Sequence, residues 1–119
     1  MELVCIMPTK RRSPCPVACT LDLIGDKWTL LVIRDMLLGR TQFKEFSASP
    51  EKIATNILSD RLSKLVDHGL AERHLSDEFA GRVTYTLTSK GKSLKSILRA
   101  IANWGLENVE GTEARLTPK

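Results

Sequence analysis

Three cysteines, two histidines and one polar helix face are the residues of this sequence whose types and spacing can do chemistry. Cys15 stands between Pro14 and Pro16 in "SPCPVACTLDLIGDKW", with Cys19 four residues on and Cys5 upstream. Pro16 disfavours helical geometry at Cys15 and itself suits the first position of a helix, so Cys15 is expected to be the helix cap. A thiol there feels the positive end of the helix dipole, which favours thiolate, and Lys10, Arg11 and Arg12 add positive charge nearby. Such surroundings suit a cysteine that senses oxidants or electrophiles. The alternative is a buried Cys15 that anchors the N-terminal arm as a small hydrophobe. Cys19 lies one turn further on the same face and reads as packing. Parallel side chains on one helix are poorly aimed for a disulfide, so any disulfide is expected between subunits or with Cys5. Neither His68 nor His74 belongs to a Cys or carboxylate set at metal-ligand spacing, and the sequence has no Gly-rich phosphate loop and no G-x-S-x-G elbow. No metal, no cofactor and no enzymatic activity are expected.

The elements that position these residues follow from periodicity. Val17, Leu21, Ile24 and Trp28 recur at helical spacing, and Gly25 ends a first helix at about residues 15–24. Asp26 caps a second helix, "KWTLLVIRDMLL", which is apolar on nearly every side apart from Arg34 and Asp35 and therefore belongs at the centre of the fold. Thr41 is placed to cap a short third helix with Phe43 and Phe46 on one face; Phe43, Phe46, Trp28 and Trp104 all read as core. After the turn-like "SASPEK", a long helix covers about residues 54–68. Ala54, Leu58, Leu62 and Leu65 form its apolar face. Asn56, Ser59, Asp60, Ser63 and Asp67 form the other, with Thr55 and Lys64 at the margins. Gly69 and Leu70 end it as a Schellman motif. "AERHLS" and "RVTYTLTS", joined by "DEFAG", read as a β-hairpin. A last helix, capped by Thr88 or Ser89, carries Leu94, Ile97, Leu98, Ile101 and Ala102 in one stripe.

The expected organisation is an N-terminal arm (1–14), one domain (15–109) and a C-terminal tail (110–119). The fold class is mainly α (α+β): a winged helix-turn-helix with a two-stranded wing, flanked by N- and C-terminal dimerisation helices. At 119 residues the chain suits a single core, and its formal charge of +4 permits nucleic-acid binding without establishing it. No apolar run approaches a membrane span, the N-terminus has the reverse polarity of a secretory signal, and an odd number of cysteines suits a reducing compartment, so a cytoplasmic protein without a membrane partner is expected.

The segments "CPVACTLDLIGDKWTLLVIRDMLLG", "FKEF", "IATNILSDRLSKLVDHGLAER" and "RVTYTLTSKGKSL", in that order over about residues 15–105, resemble the HxlR-type winged-helix transcriptional regulators of bacteria. The resemblance implies a homodimer, built on the N- and C-terminal helices, that binds an inverted-repeat operator in double-stranded DNA. It also points to Cys15, since some family members sense stress through a cysteine near the N-terminus. Cys19 departs from the family pattern without affecting the fold.

On that reading the long helix enters the major groove. Asn56 can bond adenine in two places, Thr55 and Ser59 can meet phosphate oxygens or a base edge, and Ser63 lies one turn further. Asp60 can accept from a cytosine amino group. Lys52, Lys64 and Arg82 are phosphate candidates, Arg82 also for a minor groove. Arg61 either reaches a phosphate or pairs with an acid inside the protein. The competing reading is an ordinary solvated helix face on a winged-helix protein-interaction adaptor. Leu21, Leu94, Ile97, Leu98, Ile101 and Trp104 are the expected dimer interface, against a last helix buried within its own domain.

Overall fold

The computed structural model describes residues 12–76 and 82–113. The elements run α1 (Pro16–Ile24), α2 (Thr29–Leu37), α3 (Phe43–Ser47), α4 (Thr55–Asp67), β1 (Ala71–Ser76), β2 (Arg82–Leu87), α5 (Ser89–Lys92) and α6 (Lys95–Asn108). The fold is a winged helix-turn-helix: α2, α3 and α4 pack around one core, and β1 and β2 form an antiparallel hairpin, Ala71 opposite Leu87 and Arg73 opposite Tyr85. Cys5, the cluster Lys10 to Arg11, the "DEFAG" turn and the end of the tail lie outside the described residues.

Helix α2 is central because its apolar residues point in several directions at once. Val32, Ile33 and Met36 meet Phe46 of α3, Ile53, the leucines Leu58, Leu62 and Leu65 of α4, and Leu70, Ala71 and Leu87 of the hairpin. Ile33 and Leu58 are wholly buried. The end of α4 is the expected Schellman motif. Gly69 has φ 74°, the Leu70 amide donates to Leu65 O at 2.8 Å and the Gly69 amide to Val66 O at 3.0 Å. This reversal drops Leu70 into the core and launches β1 directly from the helix. Across the hairpin, the Tyr85 amide donates to Thr41 O at 2.8 Å, tying β2 to the connection between α2 and α3.

Four expectations need correction. The last helix is two: α5 and α6 are separated at Ser93 and Leu94. Thr88 caps α5, accepting from the Gly91 amide at 3.1 Å, and donates its hydroxyl to Gly69 O at 2.6 Å. Gly91 is pressed against the chain at Leu70, where a Cβ would come within 2.0 Å of Leu70 O. That contact sets α5 against the chain just after α4, and α6 starts anew at Lys95. Thr41 is not the cap of α3; the boundary residue is Gln42, and Glu45 reaches back to accept from the Thr41 and Gln42 amides at 2.8 and 3.0 Å. Ala54 is the boundary residue of α4 and is exposed, because the chain is still extended there and its methyl does not join the leucine face. Of the four aromatics read as core, only Phe46 is fully buried and Trp28 packs against the core; Phe43 and Trp104 are exposed.

Candidate nucleic-acid interface

Three buried leucines fix the rotation of α4, so its other face is presented to solvent. Thr55, Asn56, Ser59 and Ser63 are all exposed on the first two and a half turns, and Asp60, Lys64 and Asp67 lie exposed beside or beyond them. Lys52, three residues before the helix, is exposed with φ 59°, a left-handed conformation that residues with a side chain rarely adopt. Arg82 opens β2 opposite Ser76, at the root of the wing turn, and is exposed.

The charged groups of α4 are not alike. Arg61 takes the internal alternative: its Nε donates to Asp26 Oδ2 at 2.8 Å and its Nη1 to Asp60 Oδ2 at 2.5 Å, with 22% of the side chain exposed. Lys64 sits 3.3 Å from the same Asp60 oxygen and remains mostly in solvent. Asp26, expected as the cap of α2, stands two residues before its boundary residue Trp28. It accepts from the Trp28 and Thr29 amides at 3.0 and 3.1 Å and from the Thr29 hydroxyl while also holding Arg61. Partial burial would raise its pKa, but the bonds from Thr29, Arg61 and the two amides outweigh this and hold it at about 2.

A second network, not foreseen as a unit, braces the approach to α4. Arg34 of α2 makes two bonds of 2.8 Å to the Glu51 carboxylate and one of 2.9 Å to Ser49 Oγ, and its Nε and Nη2 reach buried Asp35 at 3.2 and 3.1 Å. Arg40 reaches the same Asp35 oxygen at 2.8 Å. The Arg34 guanidinium, working against burial and helped by Ser49, holds the Glu51 carboxyl at about 2. The sequence marks Arg34 and Asp35 as the only charges on an apolar helix, but Glu51 lies 17 residues away and no local pattern pairs them.

At the other end of the chain, Cys15 is the cap of α1, with extended backbone, and is exposed rather than buried. The Ala18 amide, and then the Val17 amide, lower its thiol pKa. Ser13 Oγ accepts from the Cys15 amide at 3.0 Å, and the Cys19 thiol donates to Ser13 O at 3.2 Å, so Cys19 ties the arm to the helix. Arg12 pairs with Asp22 at 2.6 Å. Of the residues expected at a subunit interface, Leu94 and Leu98 pack against the chain's own core. Leu21, Ile97, Ile101 and Trp104 are exposed, as is Val17, and Leu21, Ile97 and Ile101 border an apolar groove of about 340 Å³ between α1, α2 and α6. Among the described residues no cluster of His, Cys, Asp and Glu could hold a metal ion, and no helix is long and apolar enough to cross a membrane.

The family described as HxlR-like helix-turn-helix matches residues 23–113. The uncharacterized HTH-type transcriptional regulator YvaP of Bacillus subtilis is 33% identical over 75% of this chain and 82% of its own length. Among solved structures, the reduced form of the transcriptional regulator YodB from B. subtilis superposes with a TM-score of 0.70 at 29% identity, covering 83% of this chain and 98% of that one. The redox regulator HypR in its reduced form gives 0.74 at 31% identity, covering 81% of this chain and 95% of that one.

Proposed function

We propose that this chain, which belongs to the HxlR-like helix-turn-helix family of transcriptional regulators, binds an inverted-repeat operator as a homodimer. The observation that carries the reading is the face of α4. Thr55, Asn56, Ser59 and Ser63 stand exposed at the N-terminal end of a helix whose opposite face is locked by Leu58, Leu62 and Leu65, with a hairpin following at once. Short neutral donors and acceptors at that end suit base edges, with Asn56 matched to adenine. Lys52, Lys64 and Arg82 flank them as phosphate contacts, which give affinity without sequence information. Asp60 remains a candidate for a cytosine amino group on its solvent side.

The exposed apolar groups Val17, Leu21, Ile97, Ile101 and Trp104 support a second copy packing on α1 and α6. Two recognition helices would then fall one DNA turn apart, about 34 Å. Cys15, exposed and with its thiol pKa lowered, supports a thiol switch at this interface, and the likeness to YodB and to the redox regulator HypR points the same way.

Selection of bound sequences from random double-stranded DNA, with reduced and with peroxide-treated protein, tests all three parts. Enrichment of an inverted repeat by the reduced protein, altered after oxidation and restored by thiol, is the expected result. Absence of any enriched sequence would favour the adaptor reading. A monomer in sedimentation at micromolar concentration would remove the dimer.

A further inference from the structure

We infer that Asp26 is a positioning residue that lowers affinity for DNA of any sequence: from the connection between α1 and α2 it holds Arg61 of the recognition helix away from the DNA backbone. This inference rests on the DNA-binding reading above. Arg61 lies between Asp60 and Leu62, at the flank of the reading face, with 22% of its side chain exposed. It is not free. Asp26 takes its Nε at 2.8 Å, and Asp26 is itself immobilised by the Trp28 and Thr29 amides. The second partner, Asp60, is on the exposed side and is shared with Lys64. Arg61 is thus held between two carboxylates, whereas Lys64 stays mostly in solvent.

Non-specific binding comes almost wholly from cations that displace counterions from phosphates, whereas specific binding adds base contacts. A cation held inside the protein lowers binding to every sequence by about the same factor. The face that remains, Thr55, Asn56, Ser59 and Ser63, discriminates through neutral groups. Asp26 thus acts through Arg61 and never meets DNA. Without it, Asp60 is the remaining partner, and it draws the guanidinium onto the exposed face.

The test is anisotropy titration of the selected operator duplex and a scrambled duplex from 50 to 200 mM salt, with the wild-type dimer, Asp26→Ser, Arg61→Gln and the double variant. Serine keeps a capping oxygen for α2 but has neither the charge nor the reach to hold Arg61. For Asp26→Ser the slope of log K against log salt is expected to steepen by about 0.9, one added phosphate contact, equivalent to about 3.5-fold over this salt range. Scrambled DNA and operator should gain affinity by similar factors. Arg61→Gln should keep the wild-type slope, and the double variant should return to it. A merely structural role for Asp26 would lower the melting temperature without steepening the slope, and that result overturns the inference. So does a slope flattened by about 0.9 in Arg61→Gln, which decides the matter even if Asp26→Ser fails to fold. If the wild type binds neither duplex, the functional reading itself fails and takes this inference with it.

Discussion

Glu51→Gln should destabilise the protein at neutral pH and leave it nearly unaffected in acid. Glu51 is held by Arg34 through two bonds of 2.8 Å and by Ser49 at 2.7 Å, and its carboxyl sits at about 2 instead of the ordinary 4.5. A folded pKa below the unfolded one contributes stability that is complete above the unfolded value and is lost as pH falls through the folded value. At 1.36 kcal/mol for each pH unit the difference sets a ceiling of about 3 kcal/mol. A third of the Glu51 side chain is in solvent, so screening reduces this to about 1–2 kcal/mol. Glutamine keeps the shape and a hydrogen-bonding oxygen but cannot ionise. Urea denaturation of wild type and variant, at one protomer concentration because association also stabilises, should show a difference of about 1–2 kcal/mol at pH 7. That difference should shrink between pH 4.5 and 2. Asp26, also held at about 2, is common to both proteins and cancels in the comparison. A difference that stays constant from pH 7 to pH 2.5 would refute the claim that the Arg34–Glu51 charge pair braces the approach to α4.

Gly91→Ala should cost about 2–3 kcal/mol, because the new Cβ would come within 2.0 Å of the backbone oxygen of Leu70 and 2.9 Å of Leu87 Cδ2; thermal melting measures it, and a wild-type melting temperature would show that the α4–α5 contact is looser than described. Asn56→Ala should weaken operator binding by about 1–3 kcal/mol and relax base preference at one position, with scrambled DNA little affected; equal loss on both duplexes would place Asn56 on phosphate instead. Cys15 should react with iodoacetamide faster than Cys19 near neutral pH, since it is exposed at the helix cap with a lowered thiol pKa while Cys19 is half-buried and donates to Ser13 O. Mass spectrometry of partly alkylated protein reads the ratio, and preferential labelling of Cys19 would remove Cys15 as the reactive thiol.

Local chemistry was legible because the code for it is local. Cys15-Pro16 marks a helix start, Gly69-Leu70 a Schellman stop, and alternation in "RVTYTLTS" a strand, and each is where it was expected. The face of α4 could be read from three leucines at helical spacing, so Thr55, Asn56, Ser59 and Ser63 were placed on the exposed side without coordinates. The break between α5 and α6 could not be read in this way. It falls just after the close approach of Gly91 to Leu70, twenty-one residues upstream, and the apolar stripe begins only at Leu94, at the break itself. The same stripe divides in a way periodicity does not foretell, with Leu94 and Leu98 on the chain's own core and Ile97, Ile101 and Trp104 facing out.

The sequence by itself determined the order of helices up to the hairpin, the hairpin itself, the exposed face of α4 and the cap position of Cys15, because backbone propensity, capping and hydrophobic period act over a few residues. Tertiary structure decided which charges are available. Arg61 and Lys64 look alike on a helical projection, three residues apart. Only the folded chain brings Asp26 to the one, from 35 residues upstream, and leaves the other mostly in water. Glu51 likewise becomes a brace only when α2 carries Arg34 past it. A charge's role depends on its partners' distance and on its access to solvent, and both are properties of the packed chain.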